Sequence, residues 1–188
     1  MKSDFFKSIK ITFVFCVIFS IFACILWAFA HTVSPNKGQV EVVMLNGKIV
    51  GADNVGQTFK KDIYFWGRPS AANYQADASA GSNKGPTNPA YLKDVKARID
   101  TFLLRHPYLK RSEVPAEMVT ASGSGLDPDI SPESAYVQVK RVAKARGMND
   151  EAVKAIVDIQ IEKPLLGLFG PAKVNVLKLN VALDKKNP

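Results

Sequence analysis

The sequence predicts a single membrane helix followed by one α+β domain, and three observations lead there. Twenty residues without a charge fill positions 11–30. An Asn-Gly pair at 46–47 separates two short apolar segments, as in a β-hairpin. Farther on, apolar residues recur at helical spacing from 91 to 104 and from 135 to 157.

At about 1.5 Å rise per residue, residues 11–30 span roughly 30 Å, the thickness of a bilayer's hydrocarbon core. Lys2, Lys7 and Lys10 precede the run against Asp4 alone, and the next basic residue is Lys37. This asymmetry places residues 1–10 in the cytoplasm and the main domain outside it. Trp27 falls near the outer end, where an indole ring sits at headgroup level. The competing reading is a cleaved secretory signal, since Ala28-Phe29-Ala30 has the small-x-small pattern of a cleavage site. The apolar run exceeds the roughly 7–15 residues of a signal core, so a retained anchor is expected. Cys16 and Cys24 both lie within it, leaving the outer domain without a thiol or a disulfide. Net charge is +8, of which residues 1–30 contribute +2. The +6 that remains suits an anionic lipid surface or an acidic partner. No basic cluster with interleaved aromatics points to nucleic acid.

A stalk at residues 31–38, containing Pro35 and Gly38, leads to a domain at 39–188. Residues 40–45 read as a strand, with 48–50 as its return. Ile63-Tyr64-Phe65-Trp66 reads as another strand, stopped by Gly67 and Pro69. Residues 70–89 are rich in Gly, Ser, Asn and Pro, and so long an aperiodic segment is expected to be a functional loop. A helix follows over 91–104. Next come an extended piece and a Ser122-Gly-Ser-Gly125 turn. Ser131, Pro132 and Glu133 then supply cap, first position and first-turn acid of a helix. Its stripe is Ala135, Val139, Val142 and Ala143, and Gly147 stops it. Asn149 caps another helix bearing Val153, Ile156 and Val157. Last, Leu177, Leu179, Val181 and Leu183 alternate with Lys178, Asn180 and Ala182, the pattern of a half-buried strand.

Catalytic chemistry is sparse. The two histidines are His31 and His106, and neither neighbours Ser122 or Ser124 in sequence. A serine nucleophile needs a base, so no catalytic residue is assigned. Transition metals lack a Cys/His cluster. Asp127, Asp129, Ser131 and Glu133 alternate as in a calcium loop, but Pro132 stands where that loop needs Gly, so no metal site is assigned. Gly123-Ser124-Gly125 lacks the Lys of a phosphate-cradling loop and reads as a turn.

Four blocks identify the chain more sharply. They are residues 114–148, centred on Ser-Gly-Ser-Gly-Leu-Asp-Pro; Tyr64-Phe-Trp-Gly-Arg-Pro-Ser-Ala; Ser79-Ala-Gly-Ser-Asn-Lys-Gly-Pro-Thr-Asn-Pro; and Val174-Asn-Val-Leu-Lys-Leu-Asn. In their order along the chain, behind one N-terminal apolar helix, they resemble the C-subunit family (KdpC) of the bacterial Kdp potassium-transporting P-type ATPase. The family usually has Gly where Ala80 stands, and Ala disfavours a positive φ.

The resemblance implies a non-catalytic accessory subunit of a high-affinity, ATP-driven potassium uptake pump in the cell inner membrane. Its implied partners are the P-type ATPase subunit, the channel-like potassium-transporting subunit, a small single-helix subunit and membrane lipid. Potassium is the transported ion, and no cofactor is held firmly. ATP enters through a family proposal that the C subunit is a catalytic chaperone raising the ATP affinity of the hydrolysing subunit. The Gln of a Gln-x-x-Arg-Val-Ala motif is likened there to a nucleotide-contacting Gln. The matching residue is Gln138, followed by Arg141. The charge asymmetry sets Gln138 on the side away from ATP, so an indirect effect is expected.

Arg68 is a candidate for a partner carboxylate through its planar donors. Asn83 and Asn88 are candidates for partner carbonyls, beside their ordinary use in turns. Ser122, Ser124 and Asp127 complete the contact candidates. Gln138 is expected to orient the Ser-Gly-Ser-Gly turn, with its loss sparing the fold. Two other classes stay open: a free-standing anchored or secreted ligand-binding domain, and an anchored hydrolase using Ser124.

Overall fold

The computed structural model describes residues 2–34 and 36–186; Pro35 of the stalk lies outside them. Two compact units result, residues 1–41 and 42–188. The first is built on α1 (Lys2–Val33), longer than the charge-free run at both ends and taking in residues 31–33 of the stalk. One stretch of α1 is long and apolar enough to cross a membrane.

The second unit is a mixed domain of helices and small sheets. It opens with a hairpin of β1 (Val42–Leu45) and β2 (Lys48–Ala52), paired antiparallel with a bulge between Val43 and Met44. Asn46 and Gly47 turn it at φ 51° and 77°, the left-handed pair that an Asn-Gly turn supplies. A long irregular stretch then runs to α2 (Pro89–Arg105), capped by Asn88, whose side chain accepts from the Tyr91 N–H at 3.1 Å. After a 3₁₀ turn at Arg111–Glu113, the piece from residue 114 expected to be extended instead makes another, Ala116–Met118.

Beyond the Ser-Gly-Ser-Gly turn lie β3 (Asp129–Ile130), α3 (Pro132–Tyr136), α4 (Val139–Arg146), α5 (Asp150–Gln160), β4 (Ile161–Glu162), β5 (Lys173–Asn175) and α6 (Val176–Lys186). The three short strands form an antiparallel sheet in the order β3-β5-β4. Ser131 and Asn149 cap α3 and α5, and Gly147 ends α4 at φ 64°, as their chemistry requires.

Three further expectations are corrected. Residues 131–147 are not one helix: the chain tightens at 137–138, where Gln138 N–H donates to Ala135 rather than Ser134. Residues 63–66 belong to no strand, for a reason that emerges below. The run from Leu177 to Leu183 is helical, not extended. Helix α6 is buried on two faces. Val176, Leu179 and Leu183 enter the main core with Val142, Val153, Val157 and Val174. Leu177 and Val181 pack against Val43 of the hairpin. Two apolar faces on one helix leave few polar positions, and the remainder imitates alternation. The overlooked signal is Asn175, whose Oδ1 accepts from the Lys178 N–H at 3.0 Å and so caps the helix.

Candidate functional site

Residues 62–66 pass through the domain with side chains, not a neighbouring strand, meeting their carbonyls, while the Tyr64 N–H turns back to Lys61 O at 3.1 Å. Asn180 of α6 donates to Phe65 O at 3.0 Å and accepts from Phe65 N–H at 2.8 Å. Gln138 does the same for Trp66, accepting at 2.8 Å and donating at 3.2 Å. Two primary amides thus replace a ladder partner, since each offers one acceptor and two donors in a plane. Arg141 takes the carbonyls of Asp62 and Tyr64 at 2.6 and 3.0 Å, and Arg146 takes that of Ile63 at 2.6 Å. Every carbonyl from 62 to 66 is therefore met by a side chain.

Gln138 is fully buried and its amide is committed to protein. Besides Trp66, its Nε2 donates to Ser134 O at 3.0 Å, the carbonyl released where the helix tightens. Its Oε1 also accepts from Arg141 Nη2 at 2.7 Å. The expected bond to the Ser-Gly-Ser-Gly turn does not form; the side chain points to Trp66 instead. The Gln-x-x-Arg spacing puts both residues on one helical face, and there they close on the same aromatic. The Arg141 guanidinium lies 4.3 Å from the Trp66 ring centre.

Arg141 is itself buried, with Asp62 4.0 Å away as its nearest carboxylate. Burial lowers its pKa to about 10, so it stays charged at neutral pH. Its Nε donates to His106 Nε2 at 2.9 Å. That bond needs an unprotonated Nε2, which assigns the proton to Nδ1, where it reaches Phe102 O at 2.7 Å. The imidazole stacks on Phe102 with centroids 4.0 Å apart. Burial is the first cause of a pKa pushed down to about 4.

That depression fixes a sign. The unfolded chain binds the proton near pH 6.5 and the folded chain only near 4, so this contribution is complete above 6.5. It falls as pH drops through that window and levels off below 4, a loss of at most about 3 kcal/mol. Melting of the full chain at pH 7.5 and 4.5 is expected to show this fall, and His106→Gln a smaller one. Equal falls in both would remove His106 as the cause.

A second convergence lies at the surface. Ala80 N–H and Ser79 Oγ both donate to Ser124 O at 3.0 Å, and Ser122 N–H donates to Pro69 O at 3.0 Å. Ser70 Oγ donates to Gly125 O at 2.6 Å. Gly125 sits at φ 69°, and a Cβ there would stand 2.7 Å from Ala80 O. Ala80 is not among the residues of positive φ, so its methyl is accommodated. The contact candidates divide here. Asn88 caps α2, and Ser122 is buried with its Oγ accepting from Gly125 N–H at 3.0 Å. Arg68 and Asp127 pair at 3.0 Å, both half-buried. Asn83, at φ 51°, and Ser124 are exposed. Ser124 Oγ accepts from Leu126 N–H at 3.1 Å. Among the described residues no histidine shares a hydrogen bond with Ser122 or Ser124.

Next to Arg68 opens a cleft of about 510 Å³. Phe59, Trp66, Pro69, Phe102 and Met118 line it, with Lys60, Arg98 and Arg105 as its other cations and no acidic residue. Sequence reasoning missed it because its walls come from segments up to sixty residues apart.

Residues 5–185 match the family model described as KdpC: K+-transporting ATPase, c chain. The chain belongs to the KdpC family. It is 69% identical to the potassium-transporting ATPase KdpC subunit of Bacteroides fragilis over 182 residues, covering 95% of each chain. The corresponding subunit of Phocaeicola vulgatus is 68% identical over 185 residues, 97% of this chain and 98% of the relative. That of Caldanaerobacter subterraneus subsp. tengcongensis is 44% identical over 184 residues, 97% and 95% of the two. The four blocks are the segments that build the amide-clamped core and the surface loops, so the family resemblance and the geometry fall on the same residues. Membership of the Kdp ATPase implies the other Kdp subunits as partners.

Proposed function

We propose that this chain is a non-catalytic, membrane-anchored accessory subunit that holds the potassium pump together from its outer side. The observation behind this reading is the split of the motif residues. Gln138, Arg141 and Asn180 serve the interior, while residues 79–89 and 123–124 are a largely exposed polar surface fixed by backbone bonds. Loops with few apolar groups add little to a core, and a rigid scaffold beneath them suits recognition. We assign this surface to the channel-like subunit near its ion entrance. Arg68 is paired with Asp127, but the cleft beside it, with Lys60, Arg98 and Arg105 and no acidic lining, suits a partner carboxylate. With the Gln138 amide consumed internally, any gain in ATP affinity by the hydrolysing subunit is indirect. The charges flanking α1 support a cytoplasmic N-terminus.

Ser124→Trp adds bulk on the exposed loop without disturbing the core. It is expected to abolish co-purification of the other subunits, or to raise the potassium needed for half-maximal uptake at least about tenfold, with melting unchanged. Glu151→Trp, exposed on α5, is the control. Normal assembly and uptake by Ser124→Trp would overturn the surface assignment. Saturable ATP binding by the folded chain at cellular concentrations would overturn the indirect account.

A further inference from the structure

Between β4 and β5, residues 164–172 read Pro-Leu-Leu-Gly-Leu-Phe-Gly-Pro-Ala, nine positions without a polar side chain. Leu165, Leu166, Leu168 and Phe169 are 70, 81, 82 and 64% exposed. Nowhere else in the described part of residues 42–186 do four exposed large apolar residues fall within five positions.

The tip has a defined shape. Leu165 and Phe169 exchange backbone bonds, each 3.0 Å, and Gly167 N–H reaches Pro164 O at 2.9 Å. Its base is the antiparallel β4–β5 pair. Leu166 and Gly167 hold φ of 55° and 72°, close to the 51° and 77° of Asn46 and Gly47 in the other hairpin. Asn tolerates that left-handed position, whereas Leu is strained there. Leu166 also gains nothing from packing, because its side chain faces solvent.

We propose that this hairpin tip dips into the lipid leaflet that faces the domain, a proposal resting on the reading of α1 as a membrane anchor. Three features favour lipid over a protein partner. The tip is narrow, whereas a stable protein interface engages some 20–30 residues a side. It has no polar side chains from which to make directional contacts, while lipid tails ask for none. Residues 34–41, the eight between α1 and β1, extend to at most about 29 Å, so a bilayer is always within the domain's reach. Lys163 at the base is exposed and suits anionic headgroups.

The test uses the full chain in phosphatidylcholine–phosphatidylglycerol vesicles. With Cys16→Ala and Cys24→Ala in place, an environment-sensitive fluorophore is attached through Leu168→Cys, or through Asp77→Cys as an exposed control. The Leu168→Cys probe is expected to emit several-fold more strongly and to be quenched by lipids brominated on the acyl chain. The Asp77→Cys probe is expected to stay open to aqueous iodide. Equal iodide access at both sites, in chains that float with the vesicles, overturns the proposal while leaving the anchor intact. Failure to float overturns both. Protection that appears only with the other subunits, without lipid quenching, also overturns it and marks a protein contact.

Discussion

Gln138→Ala is expected to destabilise the full chain by about 3–5 kcal/mol, enough to cost a marginally stable domain much of its folded population. The substitution strips partners from Trp66 N–H, Trp66 O and Ser134 O, and removes one acceptor of Arg141. Each buried polar group left without a partner costs about 1–3 kcal/mol, and water has no entry to a side chain that is fully buried. Sequence reasoning had such a change sparing the fold; the geometry reverses that. Gln138→Glu separates shape from chemistry. It keeps an acceptor for Trp66 N–H and Arg141 but faces the Trp66 and Ser134 carbonyls with oxygen. It should therefore also destabilise, although the side chain is isosteric. Denaturant unfolding of the three proteins decides this, and a shift below about 1 kcal/mol for Gln138→Ala would show that the amide is not structural.

Arg141→Met is expected to cost about 3 kcal/mol and to move the titration of His106. The apolar side chain removes a buried cation, which relieves some desolvation, yet it leaves the carbonyls of Asp62 and Tyr64 and the His106 Nε2 without donors. Arg141→Lys should recover only part of the loss, because one ammonium group cannot reproduce a planar fork aimed at several acceptors. The second readout is proton NMR. The positive charge beside His106 helps hold its pKa down, so Arg141→Met should raise it while burial still keeps it below the ordinary value. An unmoved His106 titration would dissociate the two groups.

Both expectations turn on side chains that meet across great sequence separations. Gln138 and Trp66 are 72 positions apart, and Asn180 and Phe65 are 115 apart. Nothing in the local spelling of residues 63–66 distinguishes a strand with a β neighbour from an extended segment held by amides and guanidiniums. Both need apolar, extended backbone with its polar groups satisfied. The exposed half of the site was easier to foresee, since residues 70–89 carry few apolar side chains and, Ala72 apart, none is buried.

What the sequence by itself determined are the features whose causes are local. The apolar helix follows from transfer of side chains over one continuous run. The Asn46-Gly47 turn, the Ser131 and Asn149 caps and the Gly147 stop follow from the conformations and hydrogen bonds open to single residues. Tertiary structure alone decided whether Leu177–Leu183 is strand or helix, because burial from two sides erases the periodicity that separates them. It likewise decided what Gln138 does: an amide takes its meaning from its partners, and these are assembled only when the chain folds.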